Sequence, residues 1–208
     1  MPYYDYFLVL DFQATCDDKV RVYPQEVIEF PVLLFNARTF ATEDVFHTYV
    51  TPTVHPRLSA FCTKLTGITQ DKVDGQPTLH ETMQRFHEWM ASHGLLDPSV
   101  KSCFVTCGDW DLKTMLPSLC TYLKLSIPDY FRKWVNIKKV FQRTFHKPKL
   151  VDMVPMLDDL GLQLDGRHHS GIDDSKNIAK ILIKILEKGV NLRETMTLPP
   201  FEVDAAMK

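Results

Sequence analysis

No run of about 18 consecutive apolar residues occurs in these 208 residues, so no membrane-spanning helix is expected. The amino terminus, MPYYDY, has no basic stretch followed by an apolar one, so no secretory signal is expected. Cysteine is scarce and odd in number: Cys16, Cys62, Cys103, Cys107 and Cys120, none in CxxC spacing. That argues against a disulfide framework and a zinc site, and for reduced thiols in an intracellular protein, cytoplasmic or nuclear. Eight Gly and 13 Pro leave no low-complexity segment, and no repeat is visible. A net charge of −2 does not by itself point to a polyanion partner.

What remains is an ordinary globular composition, 45% hydrophobic and 24% charged, long enough for one domain with a sizeable core. Residues 1–190 read as that domain, and 191–208, with Pro199-Pro200, as a peripheral tail. Charge is distributed unevenly. Arg132, Lys133, Lys138, Lys139, Arg143, Lys147 and Lys149 fall in one stretch without an acidic residue. Trp134, Phe141 and Phe145 are interleaved with them, a pattern suited to a phosphate backbone. For any single Lys the alternative is a solvated helix face.

Phe7-Leu8-Val9-Leu10 is an apolar run of β-favouring residues and predicts a buried strand. Asp11 and Gln13 then follow two residues apart, on one face. A carboxylate at the end of a buried strand needs a partner, and a metal ion is a natural one. This stretch alone fits equally well an Asp that ends a strand by opening a turn. Glu26–Phe35 and Thr39–Val50 predict two more strands joined by a short turn, with Pro31 suggesting a bulge or an exposed edge in the first of them. A short helix is expected over Leu58–Leu65. A longer one is expected from Pro77, in its first turn, to a stop at Gly94. Ser102–Thr106 predicts a fourth strand, Asp111–Leu123 a helix, and Trp134–Ile137 a short fifth strand. Met153–Leu160 and Asp173–Lys188 predict helices, the last with Ile178, Ile181, Leu182 and Ile185 on one stripe. The result is a mixed α/β sheet flanked by helices.

Acidic residues stand at three special places in this order: Asp11 at the first strand, Asp111 after the fourth, and Asp174 at the start of the last helix. Carboxylates from distant segments suit hard cations such as Mg²⁺ or Mn²⁺. Two such ions about 4 Å apart clamp the attacking and leaving oxygens of a phosphodiester, and a nearby His can take a proton from water. His80, His87 and His93 read as surface or packing residues.

The segments LDFQATC, TCGDWDL and HHSGIDDSKNIA together resemble the DEDDh 3′→5′ exonucleases, and FCTKLTGITQ and YPQEVIEFPV narrow the resemblance to the enhanced-RNAi (ERI) exoribonucleases. The resemblance runs from about Tyr4 to Lys188. It implies an RNase H-like fold: a five-stranded mixed sheet, three antiparallel strands then parallel ones, flanked by helices. It implies two divalent cations, Mg²⁺ or Mn²⁺, with Asp11 bridging them, Asp111 on the second and Asp174 on the first. It implies His169 as general base, with His168 a neighbour. Asp109 and Asp173 read as caps or surface acids. It further implies RNA 3′ ends as substrate, trimmed by hydrolysis, with the terminal ribose at the Ala14 and Thr15 backbone and the last bases bracketed by Leu65, Ile68 and Trp110. Histone messages, ribosomal RNA and small RNAs are all open as targets.

Gln13 departs from the pattern, which has a metal-binding Glu there. Gln is nearly isosteric but neutral, so an impaired enzyme is expected. The other site residues are intact, which favours a single deliberate change over natural decay. Two alternatives stay open: an inactive RNA-binding or adaptor protein on the same fold, and an exonuclease acting on single-stranded DNA.

Overall fold

A computed structural model of the chain describes residues 1–201. Its centre is β1 (Tyr6–Leu10), which is buried from Phe7 onward. It pairs antiparallel with β3 (Val27–Asn36), Leu8 opposite Leu34, and parallel with β5 (Ser102–Thr106), Leu8 opposite Phe104. β4 (Thr42–Tyr49) forms the outer antiparallel strand on β3, and β6 (Lys133–Asn136) extends the parallel side beyond β5. These five strands are the expected sheet. Two two-residue strands complete it: β2 (Gln13–Ala14) on β3, and β7 (Met196–Thr197) on β6. Among the described residues no helix is long and apolar enough to cross a membrane.

Alternation along β1 sends Leu8 and Leu10 to one face and Phe7 and Val9 to the other, so the sheet carries two cores. On the first lie α3 (Leu79–Ser92), through Met83, Phe86 and Met90, and α4 (Leu116–Leu123). On the second lie α5 (Ile137–Thr144), α6 (Met153–Asp159) and α7 (Gly171–Leu186). The expected stripe of α7, Ile178, Ile181, Leu182 and Ile185, is fully buried there. Each such side chain contributes about 1.5–3 kcal/mol by leaving water. α1 (Ala60–Thr66) and the single turn α2 (Gln70–Val73) cover a smaller cluster of Ile28, Cys62, Ile68 and Val73.

Several local readings are corrected. Pro31 is in neither a bulge nor an edge strand. It lies on β3 between the residues paired with β1, which end at Val32, and those paired with β2, which begin at Glu29. A residue without an N–H is tolerated where the neighbouring ladder is interrupted. Pro77 lies outside its helix, one residue before the N-cap. Thr78 caps α3, and Thr78 and Glu81 form a reciprocal capping box. The helix expected from Asp111 opens as one wide π turn, Asp111–Met115, with the Leu116 N–H reaching back to the Asp111 carbonyl. Pro117, with no N–H to give, sits at the start of the regular helix that follows.

The carboxy-terminal segment packs onto the sheet as far as it is described. Leu192 is buried in the second core, β7 pairs with β6, and the Arg132 guanidinium donates to the Leu198 carbonyl. The rest of the expected tail, 202–208, lies outside the described residues.

The basic stretch is also rearranged. Trp134 and Phe141 are fully buried, so they offer no face to a base. Lys138 pairs with Asp152, Lys139 with Asp109 at 3.3 Å and Lys147 with Asp159 at 2.8 Å. The Lys133 ammonium lies 5.4 Å from the centre of the Tyr4 ring.

Candidate active site

β1 and β5 run parallel side by side, so their carboxyl ends open at the same edge of the sheet. In open α/β sheets this edge is where ligands bind. Asp11 follows the last residue of β1. Asp111 follows β5 after a four-residue turn, Cys107–Trp110, and its Oδ1 accepts the Phe12 N–H at 3.0 Å. Asp174 comes from the first part of α7. Segments carrying carboxylates from the beginning, middle and end of the chain therefore converge at the end of β1, where Gly171 at the start of α7 packs against the Asp11 carbonyl.

Their surroundings set their charge. Burial, then the neighbouring Asp111 and Asp174, push the Asp11 carboxyl well above the ordinary range. Burial pushes Asp111 up to about 7, against the Phe12 N–H that favours its anion. Burial also raises Asp174, opposed chiefly by His168. A cluster of acids that hold their protons this tightly lacks positive charge, and a hard divalent cation fits such a donor set. Gln13 bears on the same deficit. Its side-chain amide donates to Asp11 Oδ2 at 2.9 Å, giving that carboxylate a neutral partner.

The two histidines stack with ring centres 3.8 Å apart. His168 Nδ1 lies 3.1 Å from Asp174 Oδ1, while the His169 N–H donates to Asp174 Oδ2 at 3.0 Å. Asp174 is thus gripped through both oxygens. Ligand atoms of His168, His169 and Asp174 fall within 4.8 Å of one another. His169 has φ +68°, a left-handed conformation that a β-carbon disfavours and that clusters at functional sites. Burial, then the His168 beside it, lowers its pKa, which favours the neutral ring. Asp173 is turned away and accepts the Arg167 N–H, and Asp109 accepts from the Trp134 indole and the Asn136 amide. Both act as local ties.

The residues expected to touch substrate are placed unevenly. Trp110, beside Asp111, is 42% exposed and offers a free ring. Leu65 is half-buried at the end of α1. Ile68 is 2% exposed and packs with Ile28, Cys62 and Val73. Ala14 and Thr15 are buried. Both Thr15 backbone groups are already bonded, its N–H to the Glu26 carbonyl and its carbonyl to the Gln25 amide.

Three residues that position the site were not singled out from the sequence. Glu29 is buried near the start of β3 and accepts the first two N–H groups of α7, Gly171 at 2.8 Å and Ile172 at 3.0 Å, as well as His47 Nε2 at 2.8 Å. It explains why α7 begins at Gly171, two residues before the expected Asp173, and places Asp174 one turn inside the helix. Gly171 permits the close approach: a β-carbon there would lie 2.7 Å from the Asp11 carbonyl oxygen. Arg167 ties the histidine loop to α1 by donating to the Lys64 carbonyl. The available signal was an acid inside an otherwise apolar strand, and a glycine directly before IDD.

The comparisons with known proteins agree with this geometry. An exonuclease family model matches residues 8–182. ERI1 exoribonuclease 3 of Homo sapiens is 54% identical over 192 residues, covering 92% of this chain and 57% of the relative. The 3'-5' exonuclease Snipper of Drosophila melanogaster is 35% identical, covering 96% and 75%. The chain thus spans little more than half the length of the mammalian relatives. Among solved structures, the nuclease domain of 3'hExo, described as a DEDDh family member bound to rAMP, superposes with a TM-score of 0.88 at 39% identity, covering 94% of this chain and 98% of that one. A 3'-exonuclease in a structure of histone mRNA stem-loop recognition gives 0.89 at 37%, covering 95% and 69%. By its fold, its matched family model and these relatives, the chain belongs to the DEDDh 3′→5′ exonucleases, in the group of the ERI exoribonucleases.

Proposed function

We propose that this chain is the nuclease domain of a divalent-cation-dependent 3′→5′ exoribonuclease that shortens RNA 3′ ends one nucleotide at a time, and that Gln13 weakens it. The carrying observation is the convergence of three acid-bearing segments on the end of β1: Asp111 accepts the N–H of Phe12 next to Asp11, the start of α7 closes on the Asp11 carbonyl at Gly171, and His169 donates to Asp174. Asp11, Asp111 and Asp174 would hold the cations. When bound, two such cations supply a stronger water nucleophile and neutralise charge building on the phosphodiester. His169, its neutral ring favoured by burial, takes the proton from the attacking water. Trp110 stacks on a base near the 3′ end, which any sequence allows. The rAMP in the 3'hExo structure is the kind of mononucleotide such trimming would release.

Gln13 carries no negative charge, so the site lacks one of the four expected carboxylates. Its hydrogen bond to Asp11 favours a second reading, a nucleic-acid-binding protein that keeps the fold and cuts slowly or not at all. Incubating a 5′-labelled oligoribonucleotide with Mg²⁺ or Mn²⁺, with and without EDTA, tests both. The nuclease reading expects a ladder of single-nucleotide steps, blocked by EDTA and much faster for Gln13→Glu. Equal rates for the two proteins would refute the impairment. No trimming by Gln13→Glu would leave the binding-protein reading. A competing DNA oligomer decides the substrate class.

A further inference from the structure

Large apolar side chains stand exposed in an unusual concentration beside Trp110. Val20, Tyr23 and Tyr122 are all exposed, Tyr23 at 65%. A groove of about 380 Å³ runs from Trp110 and Cys16 to Tyr23. One wall is the loop after β2, with Val20, Arg21 and Tyr23. The other is the π turn and α4, with Thr114 and Ser118, over a floor of buried Met115 and Leu119. Tyr23 is held upright by an edge-on contact with Tyr122, ring centres 5.8 Å apart at 86°. Asp17 also lines the groove, but its Oδ1 accepts the Lys19 N–H at 2.9 Å.

We infer that this groove takes the single-stranded nucleotides that lie 5′ of the last two, with a base against Tyr23 and a phosphate near Arg21. The inference rests on the exonuclease reading and extends it. Continuity carries it: Trp110 and Cys16 belong to the groove and directly adjoin Asp111 and Thr15 of the site. A polymer held by its last residue must leave the site across a neighbouring surface. A free aromatic face, one cation and a hydroxyl rim at Thr114 and Ser118 are what an unpaired strand uses without regard to sequence. The groove therefore makes affinity depend on substrate length.

The test measures binding of 5′-fluorescein oligoribonucleotides in EDTA, where no cutting occurs, comparing a dinucleotide with a hexanucleotide. Tyr23→Ala and Ser118→Trp, one removing the platform and one filling the groove, should each weaken the hexanucleotide about tenfold and leave the dinucleotide unchanged. Arg21→Ala should flatten the salt dependence of hexanucleotide binding. Equal affinities of the parent for both lengths, or unchanged hexanucleotide binding in both Tyr23→Ala and Ser118→Trp, overturns the inference while leaving the nuclease reading intact. No binding of either oligomer, together with no trimming by Gln13→Glu, overturns both. Circular dichroism of the variants distinguishes a lost groove from a lost fold.

Discussion

Two charged regions of this molecule invert their appearance in the chain. The densest cluster in the sequence is basic, from Arg132 to Lys149, and folding pairs three of its seven cations with acids. Asp109, Asp152 and Asp159 pair with its lysines, a backbone carbonyl takes Arg132, and an aromatic ring lies under Lys133. The sparse acids Asp11, Asp111 and Asp174 are separated by 100 and 63 positions in the sequence (111 − 11 and 174 − 111), yet folding crowds them together. Like charges packed in a buried site cost stability unless a counter-charge arrives. Paired charges at a surface contribute little either way. The crowded region is therefore the one organised for a ligand.

The sharpest way to break this contrast is to remove an acid from the site. In the Gln13→Glu protein, Asp11→Asn should lower Mg²⁺-dependent trimming by on the order of a thousandfold or more, because charge stabilisation of several kcal/mol is lost. A labelled oligoribonucleotide ladder measures it, and a loss under tenfold would show that Asp11 is not a ligand.

Glu29 provides a third case, a buried acid fully supplied with donors. Glu29→Ala leaves the Gly171 and Ile172 N–H groups without their acceptor and should cost about 1–3 kcal/mol in urea unfolding. Gly171→Ala, which drives a methyl into the Asp11 carbonyl, should cost at least as much and lower activity. Unchanged unfolding midpoints would remove the claim that Glu29 sets the position of α7.

Asp111 reverses the usual sign for a carboxylate. Its folded pKa, up to about 7 from an ordinary 3.8, makes the folded protein bind more protons than the unfolded one between those values. Without divalent cations, stability should therefore fall as pH rises from about 4 to about 7. Asp111→Asn keeps an oxygen for the Phe12 N–H and removes the charge. In EDTA at about pH 8 it should melt at a higher temperature than the parent, and it should lose most of the thermal stabilisation that Mg²⁺ gives the parent. A lower melting temperature than the parent in EDTA would contradict the crowding.

The smallest effect belongs to the basic stretch. Lys147→Ala, which removes the exposed pair with Asp159, should change stability by no more than about 0.5 kcal/mol. RNA affinity should be nearly unchanged, and a large loss would restore the stretch as a nucleic-acid surface.

Much of the architecture was legible because local patterns and packing agree. The apolar run at Phe7–Leu10 became the central strand, and the isoleucine stripe of α7 became core. Asp11 and Asp111 could be named because each follows a recognisable strand, while Asp174 was chosen over Asp173 on the spacing of the DEDDh pattern. Glu29 was harder to read: its partners are N–H groups 142 and 143 positions away, and no local rule signals that distance. Ile68 and Trp110, both apolar candidates for the substrate, separated only in space, one in a core and one facing solvent.

The sequence by itself determined the main strands and helices, their order and the two-faced sheet, because hydrophobic period and strand or helix ends are local properties, and its resemblance to the DEDDh pattern named the acids. Tertiary structure alone decided which charges stay paired and which are forced together, how the two histidines grip Asp174, and how closely α7 approaches Asp11. These depend on distances between remote segments, and electrostatic and steric energies follow separation in space and not position along the chain.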